Sequence, residues 1–331
     1  MKAMQIKKFG NSQEFLLQEV AKPKIIPKHV LIKVVATSVN PIDLKVRSGA
    51  VPAVAPSLPA ILQGDVSGVI TDVGEGVEDF KVGDEVYGCA GGFKGTGGAL
   101  AEYMLVDVQL LAHKPKNLKL EDAAAIPLVG ITAWESLFER GKLKKGDSIL
   151  VHGGTGGVGH IAIQLAKWAE ACVYTTISSQ KKGEIAKRLG ADHIINYHEE
   201  TVNDYVEKYT DGKGFPLVFD TVGGGNLDRS FKAASMNGTV LSIAARSTHD
   251  LSPLHAKGLS LHVIFMLLKI LDVRKRADHG KILRKITSIV EENHLKPLID
   301  KKIFSIEEVA AAHDYLETGQ AIGKVLLVNK W

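Results

Sequence analysis

Cysteine is nearly missing from this chain of 331 residues, which has only Cys89 and Cys172. The two share no ligand or redox spacing, so a disulfide framework is excluded and a reducing, cytosolic setting is the expectation. Long apolar runs are missing too. The most hydrophobic later stretch, from Val263 to Leu271, is interrupted by Lys269, whereas a membrane span needs about 20 residues. The opening MKAMQIKKFG carries no apolar segment of the kind a secretory signal requires. An excess of one charge is also missing. Forty-one Lys plus Arg against 37 Asp plus Glu leave +4, too little and too mixed for a nucleic-acid or membrane surface. Internal repeats and low-complexity linkers are absent. What remains is 45% apolar with 33 glycines, long enough for roughly two domains. Cores of that size fold without a disulfide or metal staple.

The first part, residues 1–122, reads as β-rich. Val30–Ala36, Val66–Val73 and Ala101–Val106 are short runs bounded by turn residues. Gly68, Gly74, Gly76, Gly83 and Gly88 punctuate this part, and no long amphipathic helix appears in it. A partly closed antiparallel barrel is expected. Residues 123–265 change character. Strands at 148–151, 172–176, 193–196, 217–219, 239–243 and 261–265 alternate with helices at 158–169, 180–189, 201–209 and 226–233. That alternation implies a doubly wound α/β unit with a parallel sheet covered on both faces. The remainder, 266–331, is read as returning to the first domain, which is therefore discontinuous. Within it, Arg274, Lys275 and Arg276 read as the solvated start of a helix.

The sharpest local signal is Ile149–Gly159, ILVHGGTGGVG. A buried strand runs into Gly153-Gly154-Thr155-Gly156-Gly157-Val158-Gly159 and then into a helix. Gly154, Gly156 and Gly159 fit G-x-G-x-x-G in the context that motif requires. Glycine serves the sharp turn, the close approach of backbone to a pyrophosphate, and tight packing of helix on sheet. Helix N-terminal amides then meet the negative charge. A merely tight strand-to-helix turn would have the same residues. An NAD site usually places an acid at the end of the second strand, about 20 residues on. Here that segment reads Thr175-Thr176-Ile177-Ser178-Ser179-Gln180-Lys181-Lys182, with no acid before Glu184. Hydroxyls followed by cations suit a 2′-phosphate, so NADP(H) is the expected coenzyme. Ordinary surface lysines at a helix start would look alike.

Several ordered blocks together resemble the medium-chain dehydrogenase/reductase superfamily, in its zinc-free quinone oxidoreductase-like branch. They are Ser38–Gly49, Gly64–Gly88, Gly97–Tyr103, Ile126–Leu137, Gly146–Lys167, Gly190–Tyr197, Val218–Gly224, Asn237–Ile243 and Gly323–Val328. The resemblance implies a Rossmann sheet plus a discontinuous, β-rich GroES-like domain. It implies that Asn40 and Asp43 line the nicotinamide end of the site, Asn40 donating to a substrate carbonyl. Asp43 could equally cap the next helix. Thr132 resembles the threonine near the nicotinamide ribose, unless it bonds only its own helix. Ser178, Ser179 and Lys182 match positions at the 2′-phosphate, and Tyr197 one that flanks the adenine. Ile243 and Ala244 match backbone that meets the carboxamide. Gly323 and Lys324 match residues at the cofactor, or form an ordinary strand start. The late strand at 261–265 resembles an edge that pairs two subunits, so a homodimer is expected.

The zinc enzymes of that superfamily carry a Cys where Asn40 stands, a His-Glu pair at Asp65-Val66, and a further Cys near Leu128. Catalytic zinc needs about three protein ligands and an open position, so no metal is expected here. Metal-free alcohol oxidation is harder, because a Lewis acid would stabilise the alkoxide. Hydride delivery to a quinone or α,β-unsaturated carbonyl gives a delocalised product and relies on the cofactor. The branch often has tyrosines after the R-x-G block, but Ala50–Leu62 has no aromatic residue, which favours enones and enals over stacked quinones. Phe93 is a candidate lid residue. An NADPH-binding sensor or structural protein with little turnover is the alternative, since no obvious acid/base residue stands out.

Overall fold

The structure is a computed structural model and describes residues 1–331. In chain order the strands are β1 (Lys2–Gln5), β2 (Leu16–Glu19), β3 (His29–Val39), β4 (Asp65–Val73), β5 (Glu85–Cys89), β6 (Tyr103–Asp107) and β7 (Leu111–His113). There follow β8 (Ser148–His152), β9 (Cys172–Ile177), β10 (His193–Asn196), β11 (Phe215–Asp220), β12 (Ala234–Ser242) and β13 (Ser260–Val263). The chain finishes with β14 (Phe304–Ser305) and β15 (Val325–Val328). It divides into two compact units, residues 1–131 with 266–331, and residues 132–265.

The discontinuous unit is built on β3, whose VLIKVVATSV run is buried along almost its whole length. One edge pairs antiparallel with β4. The other is shared, by β6 over His29–Lys33 and by β15 over Ala36–Val39. Splitting an edge between two partners curls the sheet β14-β15-β3-β4-β5-β7. The first segment runs through Ile131, not 122. Ala124 and Ala125 belong to a buried cluster with Ala36 and Leu326, and their lack of side-chain bulk lets this stretch lie close on β3 and β15.

The helix whose start the charge run Arg274–Arg276 marks is the longest of the chain, Arg276–Glu291. It buries Ile282, Leu283, Ile286, Ile289 and Val290, and the Tyr87 hydroxyl donates to its Leu283 carbonyl at 2.9 Å. The expectation that Arg276 is a solvated charge is corrected here. Its guanidinium lies 3.0 Å from the Asp107 carboxylate, with side chains only 13% and 7% exposed. Phe93 likewise is no lid: it is fully buried.

The second unit is a six-stranded, all-parallel sheet in the order β10-β9-β8-β11-β12-β13. Numbered within the unit this is 3-2-1-4-5-6, the doubly wound dinucleotide-binding order. Leu150, Val218 and Val240 from its central strands pack with Leu227 and Phe231 from the helix Gly225–Ala233. The helix Gly159–Trp168 buries Ile161, Ala162, Ile163, Leu165 and Ala166 completely, more than a single stripe, as befits a helix on a central strand. No helix is long and apolar enough to cross a membrane.

Removing one partner of a buried ion pair strands the other charge, at a cost of roughly 3–5 kcal/mol. Arg276→Ala is therefore expected to lower stability by about 3 kcal/mol, read as a fall in the thermal midpoint. An unchanged midpoint would show that solvent already screens the pair.

Candidate functional site

Two clusters of polar residues stand out, one in each unit. In the parallel unit, strand order reverses between β8 and β11, and ligands bind beyond the carboxyl ends of strands at such a switch point. The glycine turn leaves β8 at that place. A Cβ on Gly154 would meet Thr175 Oγ1 at 2.1 Å, and one on Gly159 would meet the Gly153 carbonyl oxygen at 2.2 Å. Gly153 itself has φ +73°, a conformation that costs glycine little. Thr155 is buried, while Gly156, Gly157 and Val158 are half-buried. The turn is thus held down onto β9 and leads into the start of the helix Gly159–Trp168. This cradle fits a dinucleotide pyrophosphate.

Around it, the ends of neighbouring strands bring further groups to the same edge. The Thr221 hydroxyl donates to the His152 carbonyl at 2.6 Å. Asp220 Oδ1 accepts from the amides of Val222 and Gly223 and from Asn226 Nδ2, at 2.9, 3.0 and 2.9 Å. One carboxylate oxygen thereby shapes the turn after β11. Burial pushes the His152 imidazole down to about 4, so it is neutral at pH 7. Ser179 caps the helix Gln180–Arg188, its hydroxyl accepting from the Lys182 amide at 3.4 Å. Ser178 is half-buried and Lys182 is on the first turn. Tyr197, 44% exposed, follows β10 and its amide donates to the Ile177 carbonyl at 3.2 Å. Ile243 and Ala244 leave β12, Ala244 lying against Gly223. Thr132 is buried, and its carbonyl accepts from the Ser136 hydroxyl at 2.7 Å.

The cluster in the discontinuous unit centres on Asp65, at the start of β4 and fully buried. Its Oδ2 accepts from the Ser38 hydroxyl at 2.6 Å and from Asn40 Nδ2 at 2.8 Å. Its Oδ1 accepts from the Leu128 amide at 2.8 Å. The Lys324 ammonium, 3% exposed, lies 3.5 Å from the same Oδ2. It also donates to the Val39 carbonyl at 3.3 Å and, closely, to Asn40 Oδ1. Burial lowers the Lys324 pKa, and the Asp65 and Asp43 charges pull it back up. Opposite Asp65 on β5 is Cys89, whose thiol is pushed far up by burial and by the Asp65 charge. It is a packed residue.

These contacts show how the residues expected at the site are held. Asn40 was expected to donate to a substrate carbonyl, but its amide is engaged at both ends. Oδ1 accepts a hydrogen bond from the Lys324 ammonium, while Nδ2 donates to Asp65 and, at 3.5 Å, to the Ser38 carbonyl. Lys324, expected at the cofactor, has its ammonium bonded within this cluster. Gly323 has φ +76°, and a Cβ there would meet the Leu298 carbonyl oxygen at 2.1 Å, so the turn into β15 requires glycine there. Of the two readings of Asp43, the structure shows the cap. Its Oδ2 accepts from the Asn40 amide at 2.8 Å, at the start of the helix Pro41–Arg47. The sequence reading considered Asp65 only as a missing ligand. The available signal was a lone acid at the head of an apolar strand, where a buried carboxylate requires a partner.

Comparison with known proteins places this geometry. A family model described as an alcohol dehydrogenase GroES-like domain matches residues 26–116, and one described as a zinc-binding dehydrogenase matches residues 189–327. The chain is 38% identical to the 2-methylene-furan-3-one reductase of Solanum lycopersicum, covering 99% of this chain and 79% of that one. Among solved structures it is similar to an alcohol dehydrogenase superfamily protein from Novosphingobium aromaticivorans, with TM-score 0.94, 37% identity and 100% of both chains covered. It is also similar to the Escherichia coli quinone oxidoreductase complexed with NADPH, with TM-score 0.88, 26% identity and coverage of 99% and 100%. The zinc named by one family model does not fit the residues present. No group of three or more His, Cys, Asp or Glu side chains is placed to hold a metal ion. Both oxygens of Asp65 are taken, and an ammonium stands beside them.

Burial raises the Asp43 carboxyl from its ordinary 3.8 to about 7, against the pull of the Asn40 amide. The folded chain therefore keeps a proton there between about pH 4 and 7 that the unfolded chain has released. Its contribution to stability is greatest below about pH 4, falls as pH rises to about 7 and is level above. Asp43→Asn is expected to remove that slope. The thermal midpoint of the variant relative to wild type should rise from pH 5 to pH 8; a constant difference would overturn the assignment.

Proposed function

Because the chain belongs to the medium-chain dehydrogenase/reductase superfamily, in its quinone oxidoreductase-like branch, we propose that it is an NADPH-dependent, metal-independent reductase of conjugated carbonyl compounds. Enones and enals are the preferred acceptors and quinones secondary ones. The observation that carries the reading is the glycine cradle at the strand-order reversal, followed at the end of β9 by hydroxyls and a lysine instead of an acid. Amides at the helix start face the pyrophosphate. Ser178, Ser179 and Lys182 hold the 2′-phosphate, which a carboxylate there would repel. Tyr197 flanks the adenine, Thr132 approaches the nicotinamide ribose, and Ile243 and Ala244 offer backbone to the carboxamide.

When bound, the coenzyme supplies the hydride. The chain's part is to fix the acceptor so that its β-carbon receives that hydride while charge develops on the carbonyl oxygen. An enone suits a site without a metal because the developing negative charge is spread over an enolate. The relative from Solanum lycopersicum, named for a methylene-furanone, and the aromatic-free segment Ala50–Leu62 both favour that class. A homodimer joined along the free edge of β13 completes the proposal. Val263 is 55% exposed there and Phe265 beyond it is 40% exposed. Both cysteines are free, which agrees with work in a reducing, cytosolic setting.

NADPH oxidation should be measured with an alkenal, 1,4-naphthoquinone and a simple ketone. Fastest turnover with the alkenal and none with the ketone are expected. Tight NADPH binding with every acceptor inert would favour a sensor or structural role instead. Lys182→Ala should weaken NADPH binding roughly 10-fold or more, as loss of a charge-assisted phosphate contact does, with little effect on NADH. Equal losses for both coenzymes would refute the placement of the 2′-phosphate.

A further inference from the structure

Reduction of an enone needs a proton as well as a hydride, and the acid and the amide expected at the site, Asp43 and Asn40, are both buried and engaged within the fold. Asp43 is 1% exposed and caps a helix, while Asn40 is 1% exposed and bonded at both ends. Elsewhere, at the carboxyl edge of the parallel sheet, three side chains form a connected line. His249 Nδ1 lies 2.9 Å from Asp228 Oδ1, and His249 Nε2 lies 2.5 Å from the Ser247 hydroxyl. Asp228 is in the first turn of the helix Gly225–Ala233. Ser247 and His249 are on the loop that follows β12, the loop whose Ala244 lies against Gly223. The imidazole is seated: its side chain is 7% exposed and meets the Phe231 ring edge-on at 6.2 Å. Ser247, by contrast, is exposed. The edge where this loop starts is the one at which doubly wound sheets bind their ligands.

We propose that Ser247, His249 and Asp228 form the proton relay of the reductase, with Ser247 as the group that faces the acceptor. This rests on the reductase reading given above. An ionised carboxylate only accepts hydrogen bonds, so Asp228 fixes the imidazole proton on Nδ1. In the neutral ring Nε2 then accepts the Ser247 O–H. In the doubly protonated ring Nε2–H donates to Ser247 Oγ, and the serine hydrogen is freed to point outward. Hydride arrival at the β-carbon leaves an enolate. Its oxygen takes the Ser247 hydroxyl proton as a new O–H bond forms and the serine O–H bond breaks. Ser247 Oγ takes the Nε2 proton in the same movement, leaving a neutral imidazole that solvent reprotonates. The enolate loses its negative charge, the imidazolium its positive one, and the enol relaxes to the saturated carbonyl. His249 and Asp228 act through Ser247, as positioning residues.

Three measurements test the relay. His249→Ala should lower kcat for the alkenal about 100-fold, within the range of general acid catalysis. NADPH affinity, read by fluorescence titration, should change less than twofold, and added imidazole should restore much of kcat. Independently of turnover, protein labelled with 15N-histidine should show a low-field Nδ1–H resonance for His249 that Asp228→Asn abolishes. Undiminished kcat in His249→Ala would overturn the relay, as would a loss that imidazole leaves untouched and weaker NADPH binding accompanies. Absence of the Nδ1–H resonance would do so as well. Wild-type protein inert towards every conjugated acceptor would overturn the reductase reading and the relay together, whereas an active wild type with an unimpaired His249→Ala overturns the relay alone.

Discussion

The discontinuous unit depends on how one carboxylate is kept out of water. Asp65 is fully buried, and a buried ionised carboxylate is tolerable only if its lone pairs are matched by donors and its charge by a cation. Ser38 from β3, Asn40 just beyond it, the Leu128 amide and the Lys324 ammonium supply those donors. They come from three stretches far apart along the chain, Ser38 with Asn40, Leu128 and Lys324, so the carboxylate fixes three segments at one point. The same interaction orients Asn40, whose side-chain amide is bonded at both ends. It also limits the chemistry of Asp43 and Cys89, whose ionisation is opposed by burial and by the negative charge nearby.

In the other unit the corresponding constraint is steric. Gly154 lies where a single methyl group would meet the Thr175 hydroxyl, so the turn is held against β9 and its backbone stays available to a ligand. At the rim Ser179 caps the helix that carries Lys182, while Asp220 shapes the adjoining turn with one oxygen. One unit thus excludes solvent from its ionised groups and the other leaves its ligand-binding edge open. The proposed reductase would use both properties, since placement and proton supply would stand in for a Lewis acid.

Much of this was legible in the residues, for reasons that are local. The buried run Ile149–Val151 followed by glycines, and the alternation of short apolar runs with helical ones, depend on spacing within a few turns of chain. That is why the parallel sheet and its glycine cradle were foreseen. Features that depend on distant partners were not. Arg276 beside Arg274 and Lys275 looks like a solvated charge until Asp107 is seen opposite it. Lys324 looks like a strand start until Asp65 and Asn40 surround it. Asn40 and Asp43 were picked out as a pair, but which hydrogen bond each makes is decided by groups that no local pattern shows. Ser247 and His249 are two residues apart, a spacing that means nothing until the helix Gly225–Ala233 brings Asp228 to the imidazole.

The late strand β15 bears on the order of events during synthesis. The ammonium beside Asp65 is carried by Lys324, immediately before the last strand, whereas the parallel sheet is assembled from one uninterrupted stretch. On a ribosome the nucleotide-binding half has all its residues, and domains close as units while translation proceeds. The discontinuous half, although started first, is complete only once Lys324 has been made. Translation therefore finishes the molecule from the inside of its sequence outward.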